Sequence, residues 1–289
     1  MPSAPQWSDF QPLPGAPVFT PATLAELLDG GQAFRWRQES PEIWHGQWSD
    51  CIVRITTDQE GRLTWSAPAP IVGRVAHALP RYLLGHDTNT ALDALPWRSD
   101  PHLASCLAAF PGLTILRQPF GETLLGFLCS ATKQIVQIKQ MVALLAERHG
   151  TTLTGTYRRL PTWTELRACL LGFRARYIHQ TAQFLAMHPG WLEETKHLPY
   201  TEAKVRLYEL SGVGEKVADC VLLFGAGKME AFPVDTWIIK AMARRYGLDG
   251  WTPMQIAHFG RTHFGPHAGL AQQYLFAYER AQGRMTSVM

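Results

Sequence analysis

Lys216 stands two residues after the run Gly212-Val213-Gly214, and Asp235 closes the string Ala231-Phe-Pro-Val-Asp235 just before an amphipathic stretch. A lysine beside a base and partly desolvated can become a neutral amine, able to attack carbon. A carboxylate that opens a helix takes up the helix's free amides, and capping of that kind is expected to lower its pKa. Paired, the two groups have the chemistry for breaking a glycosidic bond. The amine attacks the sugar carbon, while the carboxylate stabilises the positive charge developing on the ring and helps take the amine's proton. Each also has a plainer reading. Lysine at this place contacts phosphate in hairpins without enzymatic activity, and Asp235 serves as an N-cap in either case.

The segment Leu210-Ser-Gly-Val-Gly-Glu-Lys-Val-Ala-Asp-Cys220 supplies the setting for the lysine. One helix ends at Leu210, the glycines reverse the chain, and a second helix starts near Glu215. Gly212 and Gly214 let the backbone come close to a partner, and Val213 tucks back between the helices. The amides of the new helix then point outwards together, a favourable place for a phosphate oxygen. With apolar Val205, Leu207 and Leu210 before it and Val217, Val221 and Leu222 after it, this is a helix–hairpin–helix over about 201–225. Such a unit grips the DNA backbone without regard to sequence. A plain glycine-rich turn between helices is the alternative.

The rest of the chain must position these groups. Its 289 residues suffice for one large domain or two modest ones, and 46% hydrophobic with 18% charged residues is ordinary for a soluble globular protein. No apolar run approaches the roughly 18 residues that span a bilayer. The Pro-rich start MPSAPQWSDF lacks the order of a secretory leader. Cys51, Cys106, Cys129, Cys169 and Cys220 are scattered and form no CxxC, which argues against a disulfide framework and against a thiolate-bound metal or iron–sulfur cluster. A reduced, intracellular protein is expected. The net charge of +3 divides unevenly: residues 1–110 hold 7 Lys and Arg against 11 Asp and Glu, while 111–289 hold 20 against 13. The basic part concentrates positive potential where a polyanion could dock.

Short runs rich in aromatic and β-branched residues predict strands at Ala33–Arg37, Trp44–Trp48, Cys51–Thr57 and Arg62–Ser66, preceded by a short helix at Thr23–Leu28. From about Ile71 the spacing becomes helical. Residues 124–128 and 135–145 carry apolar positions at three-to-four intervals. Further helices are predicted over Thr164–Leu171, Arg176–Ala186, Thr201–Leu210, Glu215–Phe224, Thr236–Tyr246 and Ala268–Gly283, with Pro161, Pro189, Pro199, Pro233 and Pro266 in or beside the gaps. The fold class is α+β: an N-terminal antiparallel sheet domain with flanking helices (1–110), packed on an all-helical catalytic region (111–289), with the active site in the cleft between.

Leu210–Tyr246 resembles the helix–hairpin–helix glycine/proline/aspartate superfamily of DNA base-excision glycosylases, and the wider match is similar to its 8-oxoguanine DNA glycosylase branch. The likeness runs from about Leu24 to Gly283. It includes Gly31-Gln-Ala-Phe-Arg-Trp36, Leu116-Arg-Gln-Pro-Phe120, Phe127-Leu-Cys-Ser130, Gly172-Phe-Arg-Ala-Arg-Tyr177, the hairpin with Pro-Val-Asp235, and Ala271-Gln-Gln-Tyr-Leu-Phe276. The resemblance implies a bifunctional glycosylase and AP lyase that flips its target base out of the duplex. Lys216 would attack C1′ and Asp235 would orient it. Phe276 would stack on the purine, Gln272 would read its Watson–Crick edge and Cys220 would line the opposite wall. Without the family, Gln272 and Phe276 read as an ordinary amphipathic face and Cys220 as a small buried residue. Gly31 corresponds to the glycine whose carbonyl accepts the N7 proton that 8-oxoguanine has and guanine lacks. Phe173 would fill the vacated stack, and Arg174 would read the orphaned base.

Some positions depart from the pattern. Thr132 and Gln137 stand where eukaryotic members carry an asparagine and an arginine, so the fork of donors to cytosine is missing. Trp237 replaces a histidine. Cys220 is the last cysteine, so the sulfur-ligand motif of endonuclease-III-like relatives is absent. No cofactor is expected beyond a monovalent cation that the superfamily implies at the hairpin amides. The expected partner is double-stranded DNA containing oxidised guanine, bound by a monomer with no membrane role, in bacterial cytoplasm and nucleoid or a eukaryotic nucleus. The rivals are a glycosylase for other lesions, such as alkylated purines, whose members usually lack the hairpin lysine, and a non-catalytic DNA-binding module.

Overall fold

The computed structural model describes residues 6–85, 87–150 and 163–286. The first five residues and Pro161 lie outside this set. The chain begins with β1 (Gln11–Pro12) and α1 (Pro21–Asp29), followed by β2 (Trp36–Gln38), β3 (Trp44–Trp48), β4 (Cys51–Thr57) and β5 (Leu63–Ser66). These strands form one antiparallel sheet in the order β1-β5-β4-β3-β2. In β3 and β4 burial alternates with the two-residue period that the sequence shows. Trp44 pairs with Ile55, Gly46 with Val53 and Trp48 with Cys51, so one face of the hairpin is buried throughout. Gly46 has no side chain because the Trp36 ring occupies that space: a Cβ there would lie 2.4 Å from it. Trp36 is fully buried, stacks on Trp48, and donates from its indole to the Tyr82 hydroxyl at 3.1 Å.

Helices follow: α2 (Val72–Leu84), α3 (Thr88–Ala94), α4 (Pro101–Ala109), α5 (Phe120–Leu128), α6 (Ile135–His149), α7 (Trp163–Arg167), α8 (Arg174–Met187), α9 (Trp191–His197), α10 (Tyr200–Leu207) and α11 (Glu215–Val221). A π-helical turn at Leu222–Ala226 extends α11, and α12 (Thr236–Tyr246), α13 (Pro253–Phe264) and α14 (Ala268–Thr286) complete the chain. The last helix packs on α12, α13 and α4. Its Arg280 forms a buried ion pair with Glu26 of α1, and its Tyr274 hydroxyl donates to the Leu113 carbonyl at 2.9 Å. The sheet and the helices share one continuous apolar core.

The structure differs from the sequence pattern in places. The strand expected at Ala33–Arg37 is shifted to Trp36–Gln38, because the Gln32 side chain is held in a loop by Thr114 and Leu116. The helix expected to reach Leu171 stops at Arg167. Beyond it Leu170 and Gly172 adopt left-handed φ values of 64° and 57°, which no helix contains. The sequence pattern does not mark β1, α9 or α13.

Candidate active site

Lys216 and Asp235 line one cavity of about 240 Å³, together with Gly31, Cys220, Gln272 and Phe276. These six residues come from the loop after α1, from α11, from the start of α12 and from α14. Phe173, Arg174, Thr132, Gln137 and the hairpin residues Gly212, Val213 and Gly214 are not among the lining residues.

The lysine is oriented by Ser130, the last residue of the Phe127-Leu-Cys-Ser130 string. Lys216 Nζ donates to Ser130 Oγ at 3.2 Å and lies 5.3 Å from the centre of the Phe127 ring. Ser130 Oγ in turn donates to the Phe127 carbonyl at 2.7 Å. Its one proton is therefore committed, and towards the lysine it can only accept.

Asp235 caps α12: its Oδ1 accepts from the amides of Trp237 at 3.0 Å and Ile238 at 2.9 Å. Gly247, with φ +69°, ends the same helix in the left-handed conformation. Capping alone predicted a lowered pKa, and here the structure overturns the expectation. Burial pushes the Asp235 carboxyl above the ordinary carboxylate range, and the capping amides and the Lys216 charge oppose that rise without cancelling it. A carboxylate made more basic in this way is a better acceptor for the lysine's proton. Burial likewise pushes the Cys220 thiol up to about 12, so this wall of the cavity is a neutral, small side chain.

Gly31 adopts φ +103°, and a Cβ there would come within 3.0 Å of Ile135 Cδ1. Its loop is fixed by the fully buried Gln32. That side chain donates to the Thr114 carbonyl at 2.9 Å and accepts from the Leu116 amide at 2.9 Å, and the Gln32 carbonyl accepts from Gln118 Nε2 at 2.6 Å. The Gly31–Trp36 and Leu116–Phe120 strings thus meet in one hydrogen-bonded seam. On α14, Gln272 and Phe276 are one turn apart, and the Gln272 amide donates to the Pro233 carbonyl at 3.0 Å. Gln273 also lines the cavity and donates to Gln272 Oε1 at 2.6 Å. Lys133 adds a second amine to the lining, and Trp237 rests on Gly283, where a Cβ would fall 2.5 Å from its ring.

The hairpin itself is drawn tight. Gly212 has φ +82°, and a Cβ on it would lie 2.6 Å from Tyr177 Cγ in α8. Val213 is buried and its amide donates to the Leu210 carbonyl at 3.2 Å. An ion cluster clamps α10 to α11. Lys204, 8% exposed, pairs with Glu215 and with fully buried Asp219, whose Oδ1 lies 2.8 Å away and also accepts from the Tyr200 hydroxyl at 2.7 Å. Glu215 and Asp219 flank Lys216 and Cys220 in sequence, so the cluster sets the rotation of the helix that carries the amine.

Phe173 stands 54% exposed at the start of α8, its ring edge-on to Tyr177. Arg174 departs from the role expected of it. It is 2% exposed, and its guanidinium points inwards to the Leu171 and Ala131 carbonyls and to Thr132 Oγ1 at 2.8 Å. It therefore holds the 131–132 turn, where Thr132 takes φ +53°. Gln137 Oε1 accepts from the Gln134 amide at 3.2 Å as half of a capping box that starts α6.

No family model matches the chain. Among solved structures, it is similar to the 8-oxoguanine glycosylase/lyase of Clostridium acetobutylicum, determined with double-stranded DNA containing cytosine opposite 8-oxoguanine. The two are 30% identical with a TM-score of 0.81, over 90% of this chain and 92% of that one. Among curated proteins, it is 28% identical to the N-glycosylase/DNA lyase OGG1 of Arabidopsis thaliana, over 90% of this chain and 78% of the relative. A probable N-glycosylase/DNA lyase of Methanothermobacter thermautotrophicus is 39% identical over 122 residues, a match that spans 42% of this chain and 39% of that relative.

Proposed function

The chain belongs to the 8-oxoguanine glycosylase/lyase family, and from that premise we propose that it excises 8-oxoguanine from duplex DNA and then cleaves the strand. Lys216 attacks C1′ of the flipped nucleotide, the bond from C1′ to the base breaks, and the base leaves with the bonding electrons and takes up a proton. Asp235 accepts the lysine's proton and stabilises the cationic sugar. The product is an aminal; its C1′–O4′ bond then breaks with protonation of O4′, giving an open-chain imine that acidifies C2′, whose proton departs as the 3′ carbon–oxygen bond breaks and frees the phosphate end. The observation that carries this reading is the convergence of Lys216, Asp235, Gly31, Cys220, Gln272 and Phe276 on one cavity.

The supporting groups have matching roles. Phe276 stacks on the base, Gln272 meets its Watson–Crick edge, and the Gly31 carbonyl accepts the N7 proton. Phe173 fills the gap in the stack, backed by Arg174 through the Thr132 turn. Gly212, Val213 and Gly214 present backbone groups to a phosphate. The carbonyls of the hairpin loop and the open space beside Gly214 suit a monovalent cation, which would add positive charge there.

Borohydride reduces an imine to a permanent link, so it tests the reading directly. The protein incubated with an 8-oxoguanine duplex and borohydride is expected to crosslink, and Lys216→Gln is expected to abolish the crosslink while retaining DNA binding. Free base without a crosslink would make the enzyme monofunctional. Binding without base release would make it a DNA-binding module.

A further inference from the structure

We propose that Gln273 is a positioning residue that fixes the Gln272 amide and thereby sets which kind of base edge the pocket accepts. The proposal rests on the glycosylase reading above. Both glutamines line the cavity and both are buried, at 3% exposure for Gln272 and 7% for Gln273. The polarity of the pair follows from its far end. The Pro233 carbonyl can only accept, so Gln272 must place its nitrogen there, at 3.0 Å. A flipped Gln272 would set its oxygen against that carbonyl, two acceptors facing each other.

With its nitrogen assigned, Gln272 turns its oxygen to Gln273, which must answer with its own nitrogen, at 2.6 Å. The chain Gln273, Gln272, Pro233 therefore runs in one direction only. It ends on the segment that holds Asp235, two residues beyond Pro233. What the locked amides leave over is one N–H and one lone pair on Gln272, and one N–H with the acceptor oxygen on Gln273. A guanine-type edge presents two adjacent donors, N1–H and the N2 amino group. An adenine-type edge presents a donor beside an acceptor. Without Gln273 the Gln272 oxygen loses its donor, and its terminal torsion, broad and roughly two-fold by nature, is held from one side only.

The test uses duplexes carrying 8-oxoguanine or 8-oxoadenine, which share the modified N7–C8 side and differ at the opposite edge. A duplex with an abasic site serves as the third substrate, because it has a sugar to trap and no base to read. Gln273→Met keeps a similar volume without a donor, and Gln273→Ala removes the side chain. In both, kcat/KM for 8-oxoguanine is expected to fall about tenfold, near 1.4 kcal/mol. Its ratio to 8-oxoadenine is expected to fall with it, while borohydride trapping on the abasic duplex changes by less than about twofold. An unchanged ratio in both variants overturns the proposal, as does a loss of trapping in step with excision, which would mean general distortion of the site. A wild-type protein that neither excises nor traps would instead overturn the glycosylase reading, and the role of Gln273 with it.

Discussion

The Lys216 ammonium donates to a Ser130 hydroxyl whose only proton is already given to the Phe127 carbonyl. The serine therefore holds an N–H of the lysine and never competes for its lone pair. Once the amine is neutral, that lone pair must point away from Ser130. The two residues are 86 positions apart in sequence.

Ser130→Ala removes this acceptor and leaves the lysine free to rotate. Single-turnover base release is expected to slow roughly three- to tenfold, or about 0.65–1.4 kcal/mol, less than the about 1.5–3 kcal/mol of one charged hydrogen bond because water compensates part of it. DNA affinity should stay unchanged. A rate equal to wild type would show that Ser130 does not orient the nucleophile.

The raised pKa of Asp235 gives a pH signature. In the proposed mechanism the carboxylate is the working form, so activity is expected to fall as pH drops through the pKa of the folded protein. Because burial lifts that pKa, the acid limb of the kcat profile should lie above the ordinary carboxylate range of about 4. Asp235→Asn should retain DNA affinity, slow base release at least tenfold, or about 1.4 kcal/mol, and flatten the limb. The same shift means that ionising Asp235 costs the fold stability at neutral pH. Asparagine still caps the helix, so Asp235→Asn should raise Tm at pH 7, with the difference vanishing at pH values below the ordinary carboxylate range. Equal losses of binding and turnover would contradict its electrostatic role.

Gly31→Ala forces a side chain into a left-handed backbone at a cost of about 1–2 kcal/mol and presses its Cβ on Ile135. The loop carbonyl should shift, and excision of 8-oxoguanine should fall at least tenfold with a small drop in Tm. Full activity in this variant would remove Gly31 from the recognition of the base.

Lys204→Met should be the most damaging of these substitutions to stability. It leaves the fully buried Asp219 beside Glu215 without its ion-pair partner, a change that typically costs about 3–5 kcal/mol. Denaturant titration should show that loss, and Asp219→Asn added to Lys204→Met should recover part of it. A double variant no more stable than the single one would mean that Asp219 does not depend on Lys204.

Much of this was legible in the sequence, for reasons that can be named. Trp44–Trp48, Cys51–Thr57 and Thr236–Tyr246 match the expected bounds because their periodicity is strong and their ends are marked by turn residues or by Asp235 and Gly247. β1 is two residues long and exists only through pairing with distant β5, so no local pattern announces it. α13 does carry a local signal, Thr252-Pro253 with Gln255 completing a capping box, but its apolar spacing is weak beside it. In the site, Lys216 and Asp235 stand out by motif. Ser130, Gln32 and Gln273 act through contacts that only folding creates. For Asp235 the sequence displays the cap but not the depth of burial, and burial decides the direction of its pKa.

The contact between Tyr177 and Gly212 makes α8 a strut. Its first end holds Phe173, the residue proposed to enter the opening left by a displaced base, and one turn further along the same helix braces the loop proposed to hold the phosphate backbone. A push on either residue is delivered to the other across a single turn of helix. How firmly the protein clasps a strand and how hard it probes the stack are therefore set by a single part, and a substitution that retunes one will retune both.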